Sequence, residues 1–314
     1  MKTGNKENGR PPITVVISTR NRSESIIQAI QTVLRNDYPH FELSVVDQSE
    51  DHLTESLVHP FLTHPRLRYK KTATKGVSQG RNLGIRDSEN ELIALVDDDC
   101  EAPPNWLHEL ADAFAVDRRI GIVFGNVFPG PHDAAAGFIP VYVRERPFLA
   151  KGIRDKHQVD GISACMGLRR SVWQKLSGFD EMLGAGAHFQ SAGEVDLTLR
   201  GLIAGHFVYE TPRITILHHG FRNWDQGKRL MYRYWYGTGA TFAKHLKCYH
   251  WSILSLLARL GWRWAFGISQ VAAGFGKNSH RWFRLASFIR GFATGTITPI
   301  DKSICHYLKK EPQP

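Results

Sequence analysis

The sequence predicts an α/β fold: a doubly wound, mostly parallel sheet with helices on both faces, followed by a helical, basic C-terminal region. Three observations carry this. Short apolar or β-branched runs alternate with stretches of helical periodicity, joined by short links. Polar and acidic residues recur where those runs end, as at a sheet edge that binds a ligand. The charge is unevenly divided, with a near-neutral body and a strongly basic end.

The elements follow in order. Residues 1–12 are polar, with Gly, Asn and Pro, and lack the apolar core of a signal peptide, so they read as a flexible tail. Ile13–Thr19 is a β-branched run and predicts a buried first strand. Ser23 is a candidate N-cap for a helix whose apolar face is Ile26, Ile27, Ile30, Val33 and Leu34, stopped at Tyr38-Pro39. A second strand over 42–46 ends at Asp47-Gln48-Ser49, and a weaker third covers Leu67–Lys71. A helix over 76–87 carries Arg81 and Asn82. Leu92–Val96 is a buried fourth strand that ends abruptly in Asp97, Asp98 and Asp99, and a further helix begins near Pro104.

Three adjacent carboxylates repel one another unless positive charge sits among them. While the chain stays extended, alternation sends Asp97 and Asp99 to one side and Asp98 to the other. Such a pair either holds a hard divalent cation, Mg2+ or Mn2+, or forms an acidic turn capping the next helix. Thr19 to Asn21, Asp47 and the Asp triplet all lie at strand ends, where they would converge on a nucleotide. No Gly-x-Gly-x-x-Gly follows the first strand and no Walker-type loop occurs, which argues against dinucleotide binding and P-loop ATPase chemistry.

At 314 residues, with 42% hydrophobic and 22% charged side chains, the chain can bury a sizeable core. Cys100, Cys165, Cys248 and Cys305 are far apart in sequence and make no zinc or redox motif, which suits a reducing cytoplasm. From residue 221 onward there are 15 Lys and Arg against 3 Asp and Glu, a net of +12 within a whole-chain +10. That asymmetry points to an anionic partner, either a membrane surface or nucleic acid. Residues 251–276 are long and apolar enough to span a bilayer, but Arg259 and Arg263 lie inside. Each costs roughly 2.5–3.5 kcal/mol at the centre of a spanning helix. Ser252, Ser255, Arg259, Arg263 and Gln270 draw one narrow polar stripe, as on a helix lying in the membrane interface. The same pattern suits helices packed on the body or on a second subunit.

The motifs in order are Val-Val-Ile-Ser-Thr-Arg-Asn-Arg, Val-Val-Asp-Gln-Ser and Gly76-x4-Arg81-Asn82-x-Gly84. Val-Asp-Asp-Asp and Pro104-Asn105-Trp106-Leu107 follow. Residues 161–170, Ser177 to Glu181, Gly193 to Arg200 and Leu217-His218-His219-Gly220 continue the series. Over roughly 12–220 this ordered set resembles the family 2 glycosyltransferases, inverting enzymes of GT-A fold that use nucleotide sugars. The resemblance implies a catalytic domain over 13–220 and, after it, a membrane-interface or packing region over 221–314.

The resemblance also implies roles. Thr19, Arg20, Asn21 and Asp47 would hold the nucleoside, and Gly76 and Arg81 the diphosphate or base. Asp97 and Asp98 belong to an Asp-x-Asp element that touches the ribose, with Asp97, Asp99 and His218 (or His219) on Mn2+ or Mg2+. Each has an ordinary alternative: a turn for Asp47, a solvated helix for Arg81, a loop for the His pair. The family's general base comes from a Glu-Asp pair, but here that pair reads Gly193-Glu194. Glu194 is then the base, with Asp196 sharing the role, or else an acid in a helix's first turn. The implied partners are a UDP- or GDP-linked sugar donor and a glycan or lipid-linked acceptor. An anionic membrane surface is implied too, which places the protein peripherally on the cytoplasmic face of the cell membrane. A non-catalytic sugar-nucleotide binder and a nucleic-acid-binding protein are the competing readings. The first is motivated by Gly193, the second by a pI of about 9.5.

Overall fold

A computed structural model describes residues 9–22, 24–265 and 281–309, the side chains of 263–265 excepted. Residues 1–8 of the expected tail, the expected cap Ser23, the Arg263 side chain and Gln270 lie outside the described residues.

The first half alternates as the sequence predicts. Strand β1 (Ile13–Thr19) leads to α1 (Ser25–Leu34), β2 (Phe41–Asp47), α2 (Leu53–Val58) and β3 (Leu67–Lys71). Then come α3 (Val77–Arg86) and β4 (Leu92–Val96). β1 pairs in parallel with both β2 and β4, and β2 with β3. Alternation along these strands divides the core in two. Val15, Ile17 and Ala94 face one layer, with Ile26, Ile30 and Val33 of α1. Val16, Ile93 and Leu95 face the other, with Ile85 of α3. Both layers are sealed, which is why these strands are apolar throughout rather than alternating.

The second half makes the sheet mixed. After β4 come a two-residue strand β5 (Cys100–Glu101), α4 (Trp106–Ala115) and β6 (Ile120–Pro129). The short strands β7 (Gly137–Phe138) and β8 (Phe148–Ala150) precede β9 (Cys165–Arg169). Helices α5 (Arg170–Lys175) and α6 (Gly193–Ile203) then lead to β10 (Phe207–His218). β9 lies between β4 and β6, antiparallel to both. β10 runs parallel to β6, and its end turns back against β5, with His218 opposite Cys100. The order is β3-β2-β1-β4-β9-β6-β10-β5, with β8 on β10.

Beyond β11 (Arg222–Asn223), which pairs with β7, the chain is helical: α7 (Trp224–Lys247), α8 (Ile253–Ala265) and α9 (Arg281–Ile297). Asn223 starts α7 with a capping box, its side chain accepting from the Gln226 N–H while Gln226 reaches back. α7 and α9 touch backbone to backbone: a Cβ at Gly291 would strike the Tyr236 carbonyl, and one at Gly239 the Phe288 carbonyl. Phe242, Ile253, Leu256 and Phe288 join Leu199 of α6 in one apolar cluster, so these helices pack on the body. A hairpin of β12 (Ile300–Asp301) and β13 (His306–Tyr307) closes the described chain. Among the described residues no helix is long and apolar enough to cross a membrane.

Candidate active site

The ends of β1, β2 and β4 open into a cavity of about 1570 Å³. Ser18, Thr19, Gln48 and the Asp triplet line one wall, Glu194 another, and Tyr234, Trp235 and Arg259 of the C-terminal helices a third. The cavity is therefore shared by the sheet edge and the basic helices.

The chain does not stay extended through the triplet. Asp98 and Asp99 form a turn closed by the Cys100 N–H to the Asp97 carbonyl, 3.3 Å, so strict alternation fails there. The carboxylates point to three different partners. Asp97 accepts from Arg81 at 2.6 Å. Asp98 accepts from the Thr19 hydroxyl at 2.7 Å. Asp99 faces His218 Nε2 at 3.2 Å and pairs with Arg22. Of the residues expected on one cation, the structure brings together Asp99 and His218, which cluster with Cys100, their ligand atoms within 4.8 Å of one another; Asp97 is not in that cluster. The short β5–β10 ladder brings His218 there. His219 pairs instead with Glu101.

The positive charge the triplet needs comes in part from arginines. Arg22 bridges Asp98, at 3.8 Å, and Asp99. Burial alone would raise the Asp99 carboxyl, but His218 and Arg22 outweigh it and hold the group well below the usual carboxylate range. Burial pushes Asp98 up to about 7, against Arg22. Burial opposes protonation of His218, yet Asp99 raises its pKa.

The remaining expected residues divide. Arg20 lines the cavity and pairs with Glu50 at 2.9 Å. Asn21 shapes the loop, adopting φ 53° with its N–H donating to Ser49 Oγ at 2.8 Å. Gly76, at φ 116°, caps α3 and lines the cavity. Arg81 is buried, not a solvated helix arginine. Asp47 is fully buried beneath the wall, accepting from the Ser49 N–H at 2.8 Å and from the Tyr69 hydroxyl at 2.6 Å. Its neighbour Gln48 reaches the cavity in its place.

Glu194 and Asp196 sit in the first turn of α6 but two residues apart, on opposite faces of the helix. Half-buried Glu194 lines the cavity, and burial raises its pKa above the ordinary glutamate range, opposed by Arg81 and Lys156. Asp196 is fully buried among Arg200 (2.9 Å), Lys244 (2.7 Å) and His245 (3.1 Å). Asp196, expected to share the catalytic role, is not among the residues that line the cavity. Gly193, where the resemblance expects Glu, packs on α3: a Cβ there would lie 2.8 Å from Ser78 Oγ.

Several cavity residues escape a sequence reading. Arg22 lies beside Asn21 in a quoted motif, the one local signal it offers. The connection over 129–156 carries no pattern in the sequence, yet buried Glu210 clamps it and the residues that follow. That carboxylate accepts from the Tyr142 hydroxyl at 2.7 Å and the Gly161 N–H at 2.7 Å, and pairs with Arg144 at 2.7 Å. Lys156, in the same loop, lines the cavity with Glu194.

Comparison with known proteins identifies the family and the fold. The O-antigen biosynthesis protein RfbC of Myxococcus xanthus is 26% identical over 238 residues, 67% of this chain and 17% of that protein. Glycosyltransferase AglE of Haloferax volcanii is 25% identical over 203 residues, 62% of this chain and 63% of its own. The chain thus spans less than two thirds of either relative. A mannosyltransferase from Pyrobaculum calidifontis, solved with GDP-Man and Mn2+, superposes with a TM-score of 0.57 at 18% identity. It covers 94% of this chain and 85% of its own, and establishes a shared GT-A-like fold. The profile of glycosyl transferase family 2 matches residues 14–177, just over half of the sequence, and the chain belongs to that family.

Proposed function

We propose that the chain is an inverting glycosyltransferase that moves a sugar from a nucleoside-diphosphate donor to a hydroxyl of a glycan or lipid-linked acceptor. The single observation that carries this reading is the pairing, across one cavity, of a carboxylate-rich sheet edge with Glu194, a half-buried carboxylate of raised pKa in the first turn of α6. Inversion needs one base opposite the leaving group. Glu194 is that base, taking the proton from the acceptor hydroxyl as it attacks the anomeric carbon. Burial makes its carboxylate a stronger base than a solvated glutamate. Arg81 holds Asp97 and so fixes the charge on the floor between base and diphosphate.

The donor set suits a divalent cation: a carboxylate and an imidazole face one another, and a guanidinium already stands against that carboxylate. Asp99 and His218 would hold Mn2+ or Mg2+, which supplies Lewis-acid stabilisation of the charge on the departing diphosphate. Arg22, released from Asp99, is then free to meet the diphosphate oxygens. Thr19 orients Asp98 toward the ribose. The solved mannosyltransferase of similar fold holds GDP-Man and Mn2+, which supports a nucleoside-diphosphate-sugar donor with a divalent cation.

The acceptor reading rests on the C-terminal helices. Trp251, Trp262 and Trp282 are exposed there, as are Leu254 and Ile289, on a strongly basic region. Such a surface suits the headgroup level of an anionic membrane on its cytoplasmic face, where lipid-linked acceptors lie.

The test is a panel of UDP-, GDP- and dTDP-sugars in thermal-shift experiments with and without Mn2+, since a ligand of the native state raises the midpoint. One donor should give a Mn2+-dependent shift that Asp99→Asn removes, and turnover should follow with a glycan or lipid-linked acceptor. A donor bound but never turned over means a non-catalytic binder. No shift with any donor overturns the reading.

A further inference from the structure

A second cluster of metal-ligating side chains lies away from the cavity. His245 is in the last turn of α7, His250 in the turn leading to α8, and Cys305 in the β12–β13 hairpin, where it holds φ 54°. Their spacing in sequence matches no metal motif, because the hairpin brings Cys305 from the far end of the chain. His245 Nδ1 and His250 Nδ1 are 2.9 Å apart, and His250 Nδ1 is 4.0 Å from Cys305 Sγ. The three ligand atoms fall within 4.8 Å of one another. Cys248, which ends α7, has its thiol beside that of Cys305.

We propose that His245, His250, Cys305 and Cys248 form a structural zinc site that fastens the C-terminal hairpin to α7. Bond lengths of about 2.0–2.1 Å to nitrogen and 2.3 Å to sulfur in a tetrahedron put ligand nitrogens about 3.3 Å apart and nitrogen and sulfur about 3.6 Å apart. For His245, His250 and Cys305 the observed 2.9 and 4.0 Å bracket these values, whereas the Cys248 thiol touches Cys305 from outside the three-atom cluster and would have to turn in to complete the tetrahedron. The ring behind the first ligand is already oriented. His245 Nε2 faces Asp196 Oδ1 at 3.1 Å, so its N–H donates there and Nδ1 keeps its lone pair for a metal. A carboxylate holding the far nitrogen of a ligand histidine is a recurrent feature of zinc sites.

The charges balance as well. Lys244 and Arg200 are the buried cations beside the site, and Asp180 and Asp196 balance them: both carboxylates pair with Lys244, at 2.6 and 2.7 Å, and Asp196 also with Arg200 at 2.9 Å. Two thiolates with Zn2+ add no net charge, and their two protons leave to solvent on binding. Set among helix ends and a hairpin, with three ligands clustered and Cys248 turned in as the fourth, the site would have the closed form of a structural centre rather than a catalytic one. It is independent of the transferase reading.

The test uses the full chain, purified without chelator from zinc-supplemented cells, with zinc measured by elemental mass spectrometry. One zinc per chain is expected. It should fall to background in Cys305→Ser and in His250→Ala, and stay in Asp99→Asn, which alters the cavity cluster instead. Replacing zinc with cobalt in the wild-type chain should give a thiolate charge-transfer band and tetrahedral visible bands, a readout that does not depend on how the variants fold. The proposal is overturned by a wild-type chain that stays metal-free on zinc titration, or by a cobalt spectrum without the thiolate band. Zinc lost with Asp99→Asn rather than Cys305→Ser overturns it too, as does a Cys248–Cys305 disulfide in the freshly purified chain.

Discussion

Asp196→Asn separates the two acids of α6 by what each is for. The substitution keeps shape and removes one negative charge from a site where Asp196, Arg200, Lys244 and His245 are all under 5% exposed. Asp180 and Asp196 together balance Arg200 and Lys244, while His245 stays neutral. After the change one positive charge is left buried without a counter-charge. Arg200 retains the carbonyls of Leu176 and Gly178, and Lys244 retains Asp180 at 2.6 Å. Breaking one side of a buried ion pair costs about 3–5 kcal/mol. At roughly 2–4 °C per kcal/mol for a domain of this class, the midpoint should fall by roughly 6–20 °C. The assay is thermal unfolding alongside turnover per folded molecule, measured well below the variant's midpoint. Stability should fall and turnover should persist. Asp196→Asn with Lys244→Met restores neutrality and should recover part of the loss, because neighbours in one network are not additive. An unchanged midpoint with lost turnover would refute the reasoning and move the base to Asp196.

Three further outcomes are expected. Glu194→Gln should keep donor binding and lower kcat by about 10²–10⁴-fold, while Glu194→Asp, the residue usual in the family, should keep measurable turnover. Wild-type turnover with Glu194→Gln at full rate would place the base elsewhere. The base works deprotonated and its pKa is raised, so kcat/KM should fall with acid at a pH above the ordinary glutamate range. Because Lys156 lowers that pKa, Lys156→Met should move this limb further up in the pH–rate profile; a downward move contradicts the assignment. Trp251→Ser with Trp282→Ser should weaken binding to anionic liposomes in sedimentation, and salt should weaken it in the wild type, since attraction is screened over a Debye length of roughly 10 Å at 0.1 M. Full recovery of the wild type in the supernatant at low salt removes the membrane reading.

What was legible in the sequence follows from the range of the interactions involved. Ile13–Thr19 and Leu92–Val96 are found where expected because burial on both faces writes a continuous apolar run. The Asp triplet is found at its strand end for the same reason. Its internal geometry is not legible, because a turn at Asp98 and Asp99 replaces alternation and only the fold brings Arg22 and His218 to it. Glu194 and Asp196 read alike in a motif, although helical period alone sends residues two apart to opposite faces. The wall contributed by α7 and α8 was hidden more deeply. Arg259 reads as one residue of a narrow polar stripe, and Tyr234 and Trp235 give no site signal, until the packing of Phe242 and Leu256 on Leu199 shows which face looks inward.

The contact between Gly193 and Ser78 also constrains how this sequence can change. The Ser78 hydroxyl is buried without a hydrogen-bond partner and fills a space bounded by Gly184 and Gly193, where a Cβ would lie 2.6 and 2.8 Å from it. A glutamate at 193 therefore meets an occupied space. The contact is with the end of one serine side chain, so it is relieved when that hydroxyl turns away or when position 78 shrinks. Positions 78 and 193 are therefore coupled, and Ser78→Gly should ease Gly193→Glu. A history of this site has to be written for positions 78, 184 and 193 together.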